Sequence, residues 1–524
     1  MVNQKKSLKP IKNFGGDKTK NLALFFCFTI INILFLIWNF KSNSLSFGVY
    51  FVVMLIGTIL AETALCYILY FAKKHQWKIE KIFLILSLII GSIYVLVLPI
   101  GRVPDEASHF FRVYEITEGH FVSESDENHT FAGSVQPENI ILVSKFANQN
   151  VTYSEILNNL GLQASEEKTF IATSAYGYSP LAYTPQIAGM FIGKILHLPF
   201  LISAYIAKFF NLFFCITTLY FCIKYIPFLK KFIFFLAFLP ISMQSMASLS
   251  ADAPIFVSAI ALITFVLYSI YSRKEAFNKK HFFIILALCL FISISKIVYA
   301  PLCFILFCIP KERFGGKDIK RKLFWIFGTG TIVVAAYLIW YFISPPTITV
   351  SDASGQISLI IHNPIKYFSI VIHSISSNAM MYLSGAFGGY LEWFNIVPSK
   401  FYIFLSLIIF IVLCIKTRPK YIIPKDLKIL SILLFALISF AIFTAMFVTW
   451  TKSGETIIDG VQGRYFLPIM LLIPIWFLPA QRTPIENRNA IIKSTIEITN
   501  NYYFYAFFIF ESIYVISVIA CSHL

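Results

Sequence analysis

Two carboxylates, a histidine and an arginine fall between Asp105 and Arg112, inside PDEASHFFRVYEITEG at residues 104–119. Side chains of these types can deprotonate a hydroxyl, or bind a divalent cation that offsets phosphate charge. At about 100° per residue, a helix starting here sets Asp105, His109 and Arg112 on one face and turns Glu106 to the side. Asp105 and His109 stand one turn apart, so Asp105, Glu106 and His109 are the set that would ligate a divalent cation if one is used. The run reads DExxH and lacks the first His of a zinc-protease motif. A plainer reading is a solvated helix start, with Asp105 as the cap behind Pro104. Spacing alone leaves the two readings level.

Other candidates stand singly. Asp252, in SLSADAPIF, precedes Pro254 and suits either a helix cap or a site carboxylate. Lys296 separates two apolar stretches. An ionisable group at membrane depth usually lines a polar cavity, although a lysine at an interface can snorkel. In GVQGRYFLP, residues 460–468, the Arg464 guanidinium could grip a phosphate in two-point contact with Tyr465 beside it. An interfacial Arg–Tyr anchor describes the same residues. There is no Walker loop, dinucleotide glycine motif or GxSxG elbow, so activated groups or energy must come from lipid-linked substrates or an ion gradient.

The elements that must position these residues are membrane helices. The chain is 58% hydrophobic and only 13% charged, with a mean hydropathy of +0.75. A soluble chain usually carries about 25% charge, and the apolar runs here are continuous, near 20 residues long, and unlike alternating barrel strands. The expected fold is an all-α polytopic membrane protein in the cytoplasmic membrane, its partner the lipid bilayer. The net charge of +17 sits in short loops between apolar runs, which is the positive-inside pattern and not a nucleic-acid surface. No cleaved signal peptide is evident. All nine cysteines lie in or beside apolar runs, so neither a disulfide framework nor a cysteine zinc site is expected.

The basic loops alternate with the spans and set an expected topology. Residues 1–20 form a basic cytoplasmic tail, and 21–81 hold two spans near 22–39 and 47–71. A third, near 82–100, delivers the 104–119 stretch to the outer face. Outer loops follow at 101–199, closing with an interfacial helix, and at 344–400. Further spans are expected near 200–223, 232–249, 255–272, 323–343, 401–415, 429–449, 464–480 and 502–520, with residues 281–310 crossing twice around Lys296. The sum is about thirteen, good to one or two. Residues 481–524 supply a cytoplasmic loop and the last span. Asp105, Glu106, Asp252, Lys296, Glu392 and Arg464 all fall on the outer side of this plan.

PDEASHFFRVYEITEG and GVQGRYFLP, joined in order by SADAPIF, SKIVYAPL and GAFGGYLEWFNIVP, make the chain resemble the bacterial multi-pass membrane family of domain of unknown function 2142. The resemblance runs from about residue 82 to 480. That family is placed by analogy among C-type (GT-C) glycosyltransferases, which take a sugar from a polyprenyl-phosphate carrier, and this implies a GT-C-like membrane domain over 82–480. It also implies a catalytic acid at Asp105 or Glu106, and phosphate-holding cations at Arg464 and Lys296. His109, Arg112, Asp252, Glu392 and Tyr465 complete the candidate substrate-binding set. Tyr390 and Glu392 stand where the family's outer motif has Trp and Asp. The implied reaction transfers a sugar to a cell-surface polysaccharide, teichoic acid or glycolipid, with no cofactor certain and a divalent cation the one candidate. A transporter or flippase of lipid-linked sugars, or a non-catalytic scaffold of a polysaccharide assembly complex, are the alternatives. Transporters usually show repeated halves and midplane polar groups, whereas these motifs cluster at one face.

Overall fold

The computed structural model describes residues 15–126, 131–272, 275–315, 319–344, 352–417, 419, 422–479 and 502–524. The basic tail before residue 15 and most of the expected loop after residue 480 lie outside the described residues. Among those described, eight helices are long and apolar enough to cross a membrane: Leu22–Ser42, Val49–Lys74, Ile79–Val97, Phe200–Tyr225, Asp252–Tyr271, Ile319–Ile343, Lys425–Thr449 and Tyr503–Ser522. Each corresponds to an expected span, and a rise of about 1.5 Å per residue carries 20 of them across about 30 Å.

The other five expected crossings fall on shorter or interrupted helices. Residues 232–249 divide into Lys230–Phe238 and Pro240–Met246, because Pro240 has no N–H with which to continue the first helix. Residues 281–310 divide at Lys296 into Lys279–Ser295 and a 3₁₀ helix, Ile297–Cys308. Lys400–Lys416 has 17 residues, and the last stretch is a 3₁₀ helix, Gly463–Leu472, running into Ile473–Phe477. Length and composition thus assign eight crossings where about thirteen were expected.

The two 3₁₀ segments decide where the chemistry sits. Each carries an internal proline, Pro301 or Pro468, that removes an N–H and disfavours regular α winding. Irregular backbone at membrane depth is tolerated only where protein covers it, and these segments are packed together. The Tyr299 hydroxyl donates to the Tyr465 carbonyl at 2.7 Å, and Leu302, Ile305, Leu467, Ile469 and Leu471 are buried. Lys296 and Arg464 therefore lie at the starts of two broken helices, beside the first turn of Asp252–Tyr271.

Helix Phe200–Tyr225 forms the centre of the packing, touching Ile79–Val97, Asp252–Tyr271 and the Thr184–Ile195 helix. The last of these lies close because Gly189 has no side chain: a Cβ there would stand 2.6 Å from the Ala207 Cα. This is the helix expected at the membrane interface.

The loop of residues 101–199 folds over this framework with its own apolar core, including Phe110, Phe111, Val143, Ile156 and Ile171. It corrects the all-α expectation in one respect. Strands β1 (Glu124–Ser125), β2 (Ala132–Pro137) and β3 (Lys168–Ala172) form a small antiparallel sheet in the order β1-β2-β3, with Gly133 opposite Ala172. The Gln136 amide donates to the Phe111 carbonyl, and Thr173 just after β3 donates to that of Ser108, which fix the sheet to helix Glu106–Thr117.

Candidate functional site

Asp105 adopts a left-handed conformation, φ 67° and ψ 0°, immediately before helix Glu106–Thr117. Its side chain makes no capping hydrogen bond, so the plain helix-cap reading does not describe it. A non-glycine residue in this region is unusual and recurs at functional positions. Because Asp105 is not helical, counting 100° per residue from it misplaces the faces. His109 and Arg112, three residues apart within the helix, still share one side of it, both against Tyr178, and only Asp105 departs from the helical spacing.

Asp105 instead meets Arg464. The guanidinium Nη2 donates to Asp105 Oδ2 at 2.6 Å and Nη1 to the Pro104 carbonyl at 3.3 Å. On its other edge, Nε lies 3.5 Å from Asp252 Oδ2 without a hydrogen-bond partner. Asp252 Oδ1 accepts from Lys296 Nζ at 2.9 Å. Charges therefore alternate along a ladder, Asp105–Arg464–Asp252–Lys296, drawn from three broken or starting helices and one loop. Tyr465 underlies both cations, its ring centre 4.6 Å from Lys296 Nζ and 5.4 Å from the guanidinium carbon. Asp105 is the open end, with 41% of its side chain exposed against 5% for Arg464. Asp252, Arg464, Tyr299, Ser245 and Phe256 line a narrow cleft below the ladder.

His109 borders the ladder. Its Nδ1 shares a 2.6 Å hydrogen bond with the Tyr183 hydroxyl, and its ring lies edge-on to Tyr178. Burial pushes its pKa down to about 4, and the Arg464 and Lys296 charges add to this against the opposing pull of Asp105 and Asp252.

The remaining predicted residues lie off the ladder. Glu106 is fully buried and faces inward, accepting from the backbone N–H of Gly101 at 2.9 Å, Val103 at 3.4 Å and Leu249 at 3.1 Å. Burial raises its carboxyl above the usual range, with Lys208 and these amides pulling it back. It joins the Asp105 loop to the loop preceding Asp252, and so fixes how the two aspartates stand. Arg112 is buried elsewhere, donating to Glu115, Ser123 and the carbonyls of Phe121 and Tyr178.

Glu392 belongs to a second buried group. One oxygen accepts from Arg102 Nε at 3.0 Å, and the other lies 2.6 Å from His523 Nε2. Arg102 also donates to the carbonyls of Ala147 and Gln149, while His523 Nδ1 bonds that of Val151. This group ties helix Tyr503–Ser522 to the loop of residues 101–199. It was invisible in the sequence, because nothing local marks a histidine that far from Glu392 as its partner. Lys208, which donates to the Leu98 carbonyl at 2.7 Å, was likewise hidden inside an apolar run. Arg102 alone could have been suspected, from its place two residues before Pro104.

A divalent cation held by Asp105, Glu106 and His109 together does not fit this geometry. Glu106 is turned away, His109 is engaged by Tyr183, and Asp105 is already neutralised by Arg464. Among the described residues, no three His, Cys, Asp or Glu side chains form a group able to hold a metal ion.

The model of one family, described as predicted membrane protein (DUF2142), matches residues 88–473. No curated protein and no solved structure matches the chain.

Proposed function

The chain belongs to the DUF2142 family of predicted membrane proteins, and from this premise we propose that it is a membrane glycosyltransferase of the C type. The single observation that carries the reading is the Asp105–Arg464–Asp252–Lys296 ladder, with two cations suited to a phosphate beside one accessible carboxylate. The donor would be a sugar on a polyprenyl phosphate, its tail between helices and its phosphate against Arg464 and Lys296. The acceptor would be a cell-surface polysaccharide, teichoic acid or glycolipid, and the ladder would face outward from the cytoplasmic membrane, with the N-terminus inside.

In the reaction, an acceptor hydroxyl attacks the anomeric carbon as the bond from that carbon to the phosphate oxygen breaks. Asp105 takes the hydroxyl proton, polyprenyl phosphate departs, and the anomeric configuration inverts. At rest Arg464 holds the Asp105 carboxylate in an ion pair. A donor phosphate competes for that guanidinium, frees the carboxylate, and so couples donor binding to acceptor activation. The unspent Nε of Arg464 is the donor best placed to begin the exchange.

The experiment is transfer by purified protein in proteoliposomes supplied with labelled polyprenyl-phosphate sugar and a glycan acceptor. Wild type should form product, and Asp105→Asn should insert normally and form none. Undiminished transfer by that variant would remove Asp105 from the mechanism. A second reading, transport of lipid-linked sugars, draws support from the broken helices at Lys296 and Arg464, since transporters place their sites at such breaks. Movement of the label across the bilayer without product would favour it.

A further inference from the structure

Away from the ladder, two carboxyl groups lie near the middle of membrane-crossing helices: Glu62 in Val49–Lys74 and Glu511 in Tyr503–Ser522. Glu62 is 0% and Glu511 1% exposed. Ionisable groups at this depth are costly and mark ion or proton pathways more often than packing. Among the described residues, neither forms an ion pair with a lysine, arginine or histidine.

We propose that Glu62 and Glu511 form an intramembrane proton-binding site, separate from the ladder. Polar side chains from four helices build it. Thr29 and Asn32, on Leu22–Ser42, donate to the two Glu62 oxygens at 2.7 and 2.6 Å. Asn32 also donates to the Phe510 carbonyl, next to Glu511, and accepts from the Tyr402 hydroxyl. One turn along that same helix, Ser406 donates to Glu511 Oε1 at 2.8 Å. Glu62, through Asn32 and Tyr402, and Glu511, through Ser406, are thus both held to helix Lys400–Lys416.

The far end of the site is open. Glu511 Oε2 has no hydrogen-bond partner, and neither does the buried Tyr94 hydroxyl of helix Ile79–Val97, which lies within electrostatic reach of Glu511. An orphaned buried polar group calls for a ligand or a transient occupant. The other titratable groups nearby are Cys66 beside Glu62 and Tyr402 between the two acids, with Tyr514 stacked on Tyr402. None supplies positive charge. A metal cation is disfavoured, because N–H and O–H donors already point at both oxygens of Glu62, whereas Glu511 Oε2 has no donor aimed at it and is the oxygen on which a proton fits. A carboxyl without a counter-cation in an apolar medium is also held at least cost with a proton on it.

The test is infrared difference spectroscopy of the full chain in lipid nanodiscs, titrated with pH in H₂O and D₂O. The expected result is a carboxylic-acid carbonyl band that disappears as pH rises and shifts in D₂O, that is absent in Glu511→Gln and altered in Glu62→Gln. A band that neither titrates nor exchanges would mean a static structural hydrogen bond and overturn the proposal. A titrating band unchanged in both variants would do the same. If either variant fails to fold, a hydrophobic carbodiimide applied to wild type gives an independent answer, since it modifies protonated carboxyls. Modification of Glu62 or Glu511, declining as pH rises, supports the site, and no modification of either overturns it. Neither outcome bears on sugar transfer, which tests the ladder alone.

Discussion

Arg464 Nη2 and Asp105 Oδ2 stand 2.6 Å apart across 359 positions of sequence. The contact joins the first turn of a 3₁₀ helix to a left-handed residue in the loop of residues 101–199, and it sets the Asp105 carboxylate at the mouth of a cation pair. Under the proposed transfer, this contact is the resting state that a donor phosphate opens.

Arg464→Lys preserves the charge and loses the planar fork that spans Asp105 and Asp252 at once. Transfer is expected to fall about 100-fold, the scale of one lost electrostatic donor, with the loss mostly in kcat. Steady-state kinetics in proteoliposomes checks it. A change confined to KM would mean that Arg464 only anchors the carrier.

Under the proposed transfer, Asp252 would compete with the donor phosphate for both cations. Asp252→Asn should therefore tighten binding of polyprenyl phosphate while lowering thermal stability, because Arg464 and Lys296 lose their shared counter-charge. Lys296→Met should weaken binding and also destabilise. The double variant should lose less stability than the two singles summed, by roughly 1–2 kcal/mol, since the pair is coupled. Strict additivity in thermal melts would show that the 2.9 Å contact contributes nothing.

Glu106 is expected to act on position and not on the proton. Its two oxygens accept three backbone N–H groups, and Glu106→Gln turns an amide nitrogen toward one of them. The orphaned donor costs roughly 1–3 kcal/mol, so the yield of folded protein should drop. Per folded molecule, transfer should fall less than in Asp105→Asn. Equal losses in a well-folded Glu106→Gln protein would make Glu106 the base.

Much of this was legible because hydrophobic length and loop charge report directly on membrane crossing. The eight long helices and the break at Lys296 followed from such local signals, whereas which of the charged residues meet did not. What was lost depended on backbone detail. The helix-face argument failed at Asp105 itself, whose φ of 67° sets it outside the helix. Prolines inside apolar runs, Pro240, Pro301 and Pro468, converted expected spans into broken segments. The partners of Glu392, Arg102 and His523, were likewise not legible, because only the fold brings them to it.

His109 gives a pH dependence of definite sign. Its pKa in the folded protein is about 4, against 6.5 when free, chiefly through burial. Between these values the unfolded state binds the extra proton and the folded state does not, so stability is lost as pH falls through that window and is flat below it. The span of the shift bounds this loss at roughly 3 kcal/mol. Thermal melts of wild type should therefore decline from pH 6.5 toward about 4 by more than those of His109→Gln, which cannot titrate there. Asp105→Asn removes a carboxylate that favours the imidazolium, so it should move the His109 transition to still lower pH. An identical decline in wild type and His109→Gln would assign the acid sensitivity to other groups. It would also leave the Tyr183 contact, at 2.6 Å, as a hydrogen bond with no role in titration.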